Sequence, residues 1–146
     1  MKLIWIGYVI EILILSLIKP YVTNFEGVAI IAVLVHVIFS MVILYLSDRK
    51  IKHVIILGYL ARVFVLFWDL YARNIYSLPN SGADTEMFYR MSLLISDNLA
   101  MIRTTRGGMY SEILGIIFSL ISPQRMFGQY LNVLLGISTV FVYIEY

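Results

Sequence analysis

The sequence predicts an all-α fold: a polytopic bundle of transmembrane helices with about five hydrophobic segments and an external amphipathic helix at the membrane surface. Three observations lead to this fold class. Of the 146 residues, 61% are hydrophobic and 14% are charged, unlike the composition of a soluble domain. Apolar runs near the roughly 20 residues that a helix needs to cross a bilayer recur along the chain. A polar stretch with helical periodicity interrupts them.

The five hydrophobic segments are, in chain order, residues 3–18, 28–46, 54–76, 109–121 and 127–146. Lys19-Pro20 ends the first segment, and a short basic loop separates the second from the third. The third carries charges within its length, and the fourth is short for a span. We expect these segments to form one transmembrane domain over residues 1–146.

The basic loop predicts the orientation. It contains Arg49, Lys50 and Lys52, and short loops rich in lysine and arginine stay in the cytoplasm. The amino terminus is therefore expected in the cytoplasm, and residues 77–108 are expected on the external side.

The polar interlude begins with a turn at residues 79–82 and continues as a helix. Apolar side chains recur along it at three- and four-residue steps: Met87, Met91, Leu94, Ile95 and Leu99. Glu86, Arg90 and Asp97 lie on its other face. This pattern predicts a helix that lies flat on the external membrane surface.

Asp84 and Glu86 are the candidate catalytic acids. They lie where the third segment emerges, at the predicted boundary between bilayer and water. Partial desolvation makes a carboxylate a stronger base, which suits proton removal from an acceptor hydroxyl. The alternative is structural: a helix cap and a solvated acid at the positive end of the helix dipole.

Arg103 and Arg106 are candidate ligands for a phosphate or diphosphate, because a guanidinium forms paired hydrogen bonds with such anions. Their alternative is an interfacial contact with anionic lipid headgroups. Tyr89 could stack on a sugar ring, or it could be an ordinary aromatic residue of the membrane interface.

Charges inside the predicted spans need partners, because an unpaired charge near the bilayer centre is costly. Glu11 and Arg62 are expected at similar depth and are predicted to form an ion pair. Asp69 and Arg73, four residues apart on one helix, are predicted to form a second one. For His36 we expect an interhelical hydrogen bond, with a proton relay as the alternative.

Composition also bounds the partners and cofactors. The net charge of +2 is small and scattered, so no nucleic-acid partner is expected. The chain has no cysteine and only two histidines, which excludes thiolate chemistry and argues against a zinc site. We expect no cofactor and no metal centre, and a divalent metal requirement is left open.

A family resemblance joins these features. Asp84-Thr85-Glu86 followed by Tyr89 resembles the first external loop of the GT-C membrane glycosyltransferases. That superfamily includes dolichyl-phosphate-mannose protein mannosyltransferases and bacterial aminoarabinose transferases. Further along, Tyr110, an apolar run, a break at residues 123–128 and Leu131-Asn132-Val133-Leu134-Leu135-Gly136 are similar to a second pattern of the superfamily.

The resemblance implies transfer of a sugar from a polyprenyl-phosphate donor to a glycan or lipid acceptor. The implied setting is cell-surface glycan synthesis at the external face of a bacterial plasma membrane. It implies Asp84 as the base and Glu86 as the second acid, with Arg103 and Arg106 at the carrier phosphate.

Tyr89 and Tyr110 are the substrate-binding aromatics implied by the same resemblance. Family members have many more spans, so the chain is expected to be an amino-terminal segment that cannot close the donor cavity by itself. Two other functions stay open. One is a small non-catalytic membrane protein that assists polysaccharide assembly or export, and the other is a polymerase or ligase of glycan repeat units.

Overall fold

The structure is a computed structural model that describes residues 1–47, 50–76, 83–104 and 106–145, with the backbone alone at 83–85 and 144–145. The described part is helical and contains no strand. The predicted turn at residues 79–82 and Arg49 of the predicted cytoplasmic loop lie outside the described residues.

Six α-helices form the described part: α1 Lys2–Ile18, α2 Phe25–Tyr45, α3 Lys52–Phe67, α4 Ala83–Asp97, α5 Gly108–Leu120 and α6 Arg125–Glu145. A π-helical turn, Trp68–Ala72, continues α3. Short 3₁₀ turns follow α1 at Lys19–Tyr21 and α4 at Leu99–Met101. Asn24 caps α2 by accepting a hydrogen bond from the backbone N–H of Gly27 at 3.1 Å.

Among the described residues, four helices are long and apolar enough to cross a membrane: Lys2–Tyr21, Phe25–Tyr45, Lys52–Ala72 and Arg125–Tyr143. They coincide with four of the five predicted segments, so the prediction of an integral membrane helix bundle is confirmed at this level. The fourth predicted segment corresponds to α5, which has 13 residues. At about 1.5 Å per residue, α5 is roughly 20 Å long, short of a hydrocarbon core of about 30 Å.

The four long helices share one core of large side chains. Tyr8 of α1, Tyr59 of α3 and Tyr130 of α6 are each at most 2% exposed. The indole N–H of Trp5 donates to the hydroxyl of Ser138 at 2.9 Å, which joins α1 to α6. Half-buried polar groups of this kind find hydrogen-bond partners across helices, because their surroundings are largely apolar.

A tight hairpin of α4 and α5 packs against this bundle. Small residues recur at four-residue steps where α5 and the residue before it face α4: Gly107, Ser111 and Gly115. A Cβ on Gly115 would lie 2.6 Å from Ile95 of α4, so the two helices approach closely only because side chains are absent there.

This packing changes the prediction for the amphipathic helix. Ile95 is fully buried in the protein, whereas Met87 and Leu94 are 40% and 48% exposed. The apolar stripe is thus divided between α5 and the outer surface. The predicted stripe therefore does not face the membrane alone, because α5 packs against part of the same face of α4.

The hairpin lies at one end of the bundle, which we call the hairpin end: the end where α3 finishes and α6 begins. Near its start, α5 is attached there by Tyr110, whose hydroxyl donates to the carbonyl oxygen of Gly128 at 3.1 Å. Near its end, the ammonium of Lys19 donates to the carbonyl oxygen of Ser119 at 3.4 Å. Both ends of α5 are therefore held at the same end of the bundle.

Candidate functional site

Polar and aromatic side chains from α3, α4, α5 and α6 meet at the hairpin end. Glu86 of α4 lies at the edge of this cluster and joins it through Arg125. One carboxylate oxygen pairs with the guanidinium of Arg125, at the first turn of α6, and the other accepts from Arg90 at 3.3 Å. Because both oxygens are occupied by guanidinium groups, Glu86 is placed to hold α4 against α6. The predicted role of a second catalytic acid has no direct geometric support here.

Arg125 connects this ion pair to an aromatic wall. Its guanidinium carbon lies 5.0 Å from the centre of the Tyr89 ring, within the range of a cation–π contact. The Tyr89 hydroxyl donates to the carbonyl oxygen of Pro123 at 2.9 Å, and its ring meets Phe118 edge-on at 5.8 Å. These three contacts hold the Tyr89 ring in one position. Tyr89, a predicted substrate-binding residue, therefore presents a fixed ring.

A cavity of about 210 Å³ opens beside these residues. Its walls combine aromatic rings with amide and guanidinium groups: Phe88, Tyr89, Tyr110, Arg125, Gln129 and Asn132. Phe88 and Tyr110 meet edge-on with ring centres 5.5 Å apart. Such a wall offers an apolar face and several hydrogen-bonding groups within one small space.

A second, larger cavity of about 540 Å³ continues from the first along the groove between α3 and α6, and the two share Gln129 and Asn132. Within it, the amide nitrogen of Gln129 donates to a carboxylate oxygen of Asp69 at 2.6 Å. The other Asp69 oxygen and the Gln129 amide oxygen are shielded from solvent and have no hydrogen-bond partner. These two acceptors are available to a ligand that brings donor groups.

The structure gives Asp69 a different partner from the predicted one. Its carboxylate accepts a hydrogen bond from Gln129 of α6, across the groove between the two helices. The physical reason is the π-helical turn at Trp68–Ala72, in which the hydrogen-bonding step lengthens to five residues and the four-residue alignment of side chains is lost. Asp69 and Arg73 do line one further small cavity together with Arg125.

Arg62 lies deeper in the α3–α6 groove. Its guanidinium packs against Gly136 of α6, where a Cβ would collide with it. The glycine that ends the Leu131–Gly136 pattern therefore provides room for an arginine from the neighbouring helix. Arg62 and Asn132 bring polar groups into the middle of an apolar bundle surface.

The prediction that Glu11 and Arg62 form an ion pair is wrong for these two described residues. Glu11 instead lies 3.0 Å from the Nδ1 of His36, which joins α1 to α2. The His36 ring is enclosed by Tyr8 and Tyr130, with ring centres 5.6 and 5.5 Å away. His36 thus meets a polar side chain of another helix, as expected, and that side chain is the acid that was predicted to pair with Arg62.

Arg103 and Arg106 lie outside the cavities described above. Both side chains are exposed. Arg103 has a φ of 67°, and its backbone N–H donates to a carboxylate oxygen of Glu112 at 2.9 Å, so it forms part of the turn into α5. Arg125 and Arg62 line the first and second of these cavities, respectively. The sequence pattern did not indicate this role for either of them, because they come from α6 and α3.

Asp84 lies in the first turn of α4, and its side chain is outside the described residues. No group of three histidine, aspartate or glutamate side chains that could hold a metal ion occurs in the ranges that the structure describes. Comparisons with protein-family models, curated proteins and solved structures found no match to this chain.

Proposed function

We propose that the chain belongs to the GT-C type of membrane glycosyltransferases and that its hairpin end binds the sugar of a polyprenyl-phosphate donor. The observation that supports this proposal is the cavity beside Tyr89, Tyr110 and Asn132. Its volume of about 210 Å³ is below the roughly 300–1,000 Å³ usual for drug-sized ligands. This size favours one small ring over an extended glycan.

The chemistry of the walls supports a sugar in particular. The aromatic faces of Tyr89 and Tyr110 can cover the C–H face of a pyranose ring, which is its apolar surface. Amides both donate and accept hydrogen bonds, so Gln129 and Asn132 can match sugar hydroxyls of either polarity. Arg125 adds a cation within the same walls, where the phosphate that carries the sugar would be attracted.

In the proposed reaction, the acceptor hydroxyl attacks the anomeric carbon of the donor sugar. A new carbon–oxygen bond forms as the bond to the carrier phosphate breaks, with inversion, and the phosphate leaves on its lipid. Asp84 takes the proton of the acceptor, a role that rests on the family resemblance. Glu86 acts in this proposal as the residue that positions α4, because its oxygens are paired with Arg90 and Arg125.

Donor binding tests the proposal. The chain would be placed in lipid nanodiscs, and saturable binding of a radiolabelled polyprenyl-phosphate hexose would be measured by scintillation proximity. Asn132→Leu is expected to weaken binding about tenfold, since it leaves a polar ligand group unpaired. Thr139→Val is the matched control, because Thr139 is exposed on α6 away from the cavity and bonds its own helix.

Two results would contradict the assignment: Asn132→Leu binding as well as the wild type, or unglycosylated polyprenyl phosphate competing as well as the donor. The second result would place the lipid phosphate, and not the sugar, at the site. Where the chain supports transfer, Asp84→Asn is expected to abolish it while binding persists.

A second function is favoured by one observation, the complete occupation of Glu86 by two arginines. It is a non-catalytic membrane protein that assists polysaccharide assembly or export. The exposed side chains Met87 and Leu94 would then serve as a docking surface on α4. This function predicts that Asp84→Asn leaves polysaccharide output in cells unchanged, whereas Leu94→Glu reduces it.

A further inference from the structure

Arg62 lies at the centre of a membrane-spanning helix. Ten residues separate it from Lys52 and ten from Ala72, the ends of the third candidate span. At about 1.5 Å per residue, the Cα of Arg62 is roughly 15 Å from either end. Its side chain is exposed, so in a membrane the guanidinium borders the hydrocarbon region.

No carboxylate in the described part of the chain pairs with this arginine. The acid in the same groove, Asp69, is seven residues further along the helix, about 10 Å away, and accepts from Gln129. The other central acid, Glu11, is paired with His36 on α1 and α2. A guanidinium without a carboxylate partner at this depth is strongly unfavourable. A group that does not belong to the described residues must therefore neutralise it.

The surface around Arg62 has the shape of a helix contact. On the same side of α3, Gly58 has no atom within 4 Å of the place where a Cβ would be, and Ala61 is its small neighbour. The outward positions on the adjacent side are bulky, since Leu57 and Phe64 are 70% and 63% exposed. Small residues let a second helix backbone approach closely, whereas bulky ones suit lipid.

We propose that this face, Gly58, Ala61, Arg62 and Val65, binds a transmembrane helix of a partner that carries an acidic side chain near its middle. The positive charge of Arg62 indicates which kind of molecule covers this face. A carboxylate at the same depth would neutralise the guanidinium by a paired hydrogen bond. A lipid phosphate lies at the membrane surface, and Arg62 would have to leave its contact with Gly136 to reach it.

A second copy of the chain is a weaker occupant. The acid that it would bring at similar depth is Glu11, whose carboxylate oxygens are shielded and lie beside His36. Presenting them to another copy would break that pair. The four residues of the α3 face line the second cavity, next to the cavity beside Tyr110. The inference does not depend on the proposed function, because it is argued from the charge and shape of the α3 face alone.

The test uses synthetic transmembrane peptides of leucine and alanine with one central glutamate, glutamine or leucine. Association with the labelled full chain in phosphatidylcholine vesicles would be measured by fluorescence energy transfer. The central position makes the result independent of peptide orientation. The glutamate peptide is expected to bind the wild-type chain at least fivefold more tightly than the leucine peptide. Arg62→Leu is expected to remove this difference.

Further variants separate the charge from the shape of the face. Gly58→Leu is expected to reduce binding of every peptide by blocking close approach, whereas Phe64→Leu, on the adjacent side, is the control that leaves binding unchanged. Arg62→Glu paired with a central-lysine peptide is expected to restore association. That recovery would also show that a chain altered at position 62 is folded.

Three outcomes would overturn the proposal. The first is equal binding of the glutamate and leucine peptides to the wild type, or no binding of either. The second is an unchanged preference for glutamate in Arg62→Leu. The third is self-association of the chain that excludes the peptides and is abolished by Glu11→Gln, which would assign the face to a second copy.

Discussion

Glu86 of α4 and Arg125 of α6 form an ion pair that fastens the α4–α5 hairpin to the start of the last described helix. The pair stands at the edge of the cavity lined by Tyr89 and Asn132, so it also determines where the aromatic wall lies. Residues 39 positions apart in sequence thus form one structural unit.

The Glu86–Arg125 pair should contribute a small, salt-dependent stabilisation. The Glu86 and Arg125 side chains are 40% and 36% exposed, so solvent screens their attraction. A double-mutant cycle with Glu86→Gln and Arg125→Gln is expected to give a coupling free energy of about 0.5–1 kcal/mol. The measurement is unfolding of the detergent-solubilised chain at low and high salt. A coupling of zero at low salt would mean that the hairpin is held by packing alone.

Two glycines should respond to the same substitution with opposite signs. A Cβ at Gly115 would lie 2.6 Å from Ile95 and 3.1 Å from the carbonyl oxygen of Ser92, whereas Gly58 has open space. Gly115→Ala is expected to lower the free energy of unfolding by about 1–3 kcal/mol through overpacking. Gly58→Ala is expected to raise it by about 0.5–1 kcal/mol, the usual helix preference for alanine.

Unfolding of both variants in the same detergent provides the comparison. A loss of stability at Gly58 equal to that at Gly115 would show that helix propensity and close packing are not the deciding terms at these positions.

The contact between Glu11 and His36 should tolerate an amide but not a truncation. In Glu11→Gln, a side-chain oxygen still lies beside the Nδ1 of His36, so we expect a loss of under about 1 kcal/mol. Glu11→Ala leaves the buried imidazole without this polar neighbour, which costs about 1–3 kcal/mol. Thermal unfolding of the two variants distinguishes these cases. Equal destabilisation by both would indicate that the negative charge, and not the hydrogen bond, matters.

The cavity-lining arginine should matter for donor binding, and the exposed ones should not. Arg125→Ala removes the cation beside Tyr89 and is expected to weaken binding of a polyprenyl-phosphate hexose about tenfold or more. Arg103→Ala and Arg106→Ala are expected to leave it within about twofold, because their side chains are exposed outside the cavity walls. Weaker binding in Arg103→Ala and Arg106→Ala than in Arg125→Ala would instead favour the sequence-based prediction that these two arginines bind the carrier phosphate.

The hydroxyl of Tyr110 should act on stability and its ring on binding. Tyr110→Phe removes the bond to the carbonyl oxygen of Gly128 and is expected to cost about 0.5–1.5 kcal/mol, with the cavity wall intact. Tyr110→Leu removes the wall as well. Donor binding measured at a temperature where both variants are folded should fall only in Tyr110→Leu.

The limits of sequence reasoning are visible in Glu11. Its position within a span predicts that it needs a partner, and its depth predicts which residues are within reach. The direction in which it points depends on how α1 is rotated against its neighbours, and the packing of Tyr8 and Tyr130 around His36 decides that rotation. His36 was recognised as a hydrogen-bonding residue, but sequence spacing could not assign its partner.

The cavity shows the same limit. Tyr89 and Tyr110 were recognised in the sequence and do line it, whereas Gln129 and Asn132 became candidates only when α6 was placed beside α3 and α5. Arg103 and Arg106 are close to the acidic motif in sequence but not to the cavity in space. A tight turn between α4 and α5 directs them outward.

The sequence by itself determined that long apolar helices recur along the chain, because hydropathy over about 20 residues is a local property that needs no partner. Of the five segments that it predicted, four correspond to described helices long enough to cross a membrane. It also determined that charges at positions 11 and 62 must be covered. Only the tertiary structure decided that α5 folds back on α4, that Glu11 meets His36, and that Arg125 reaches the aromatic wall. Each of these outcomes depends on helix rotation and close approach, which are set by the packing of several helices at once.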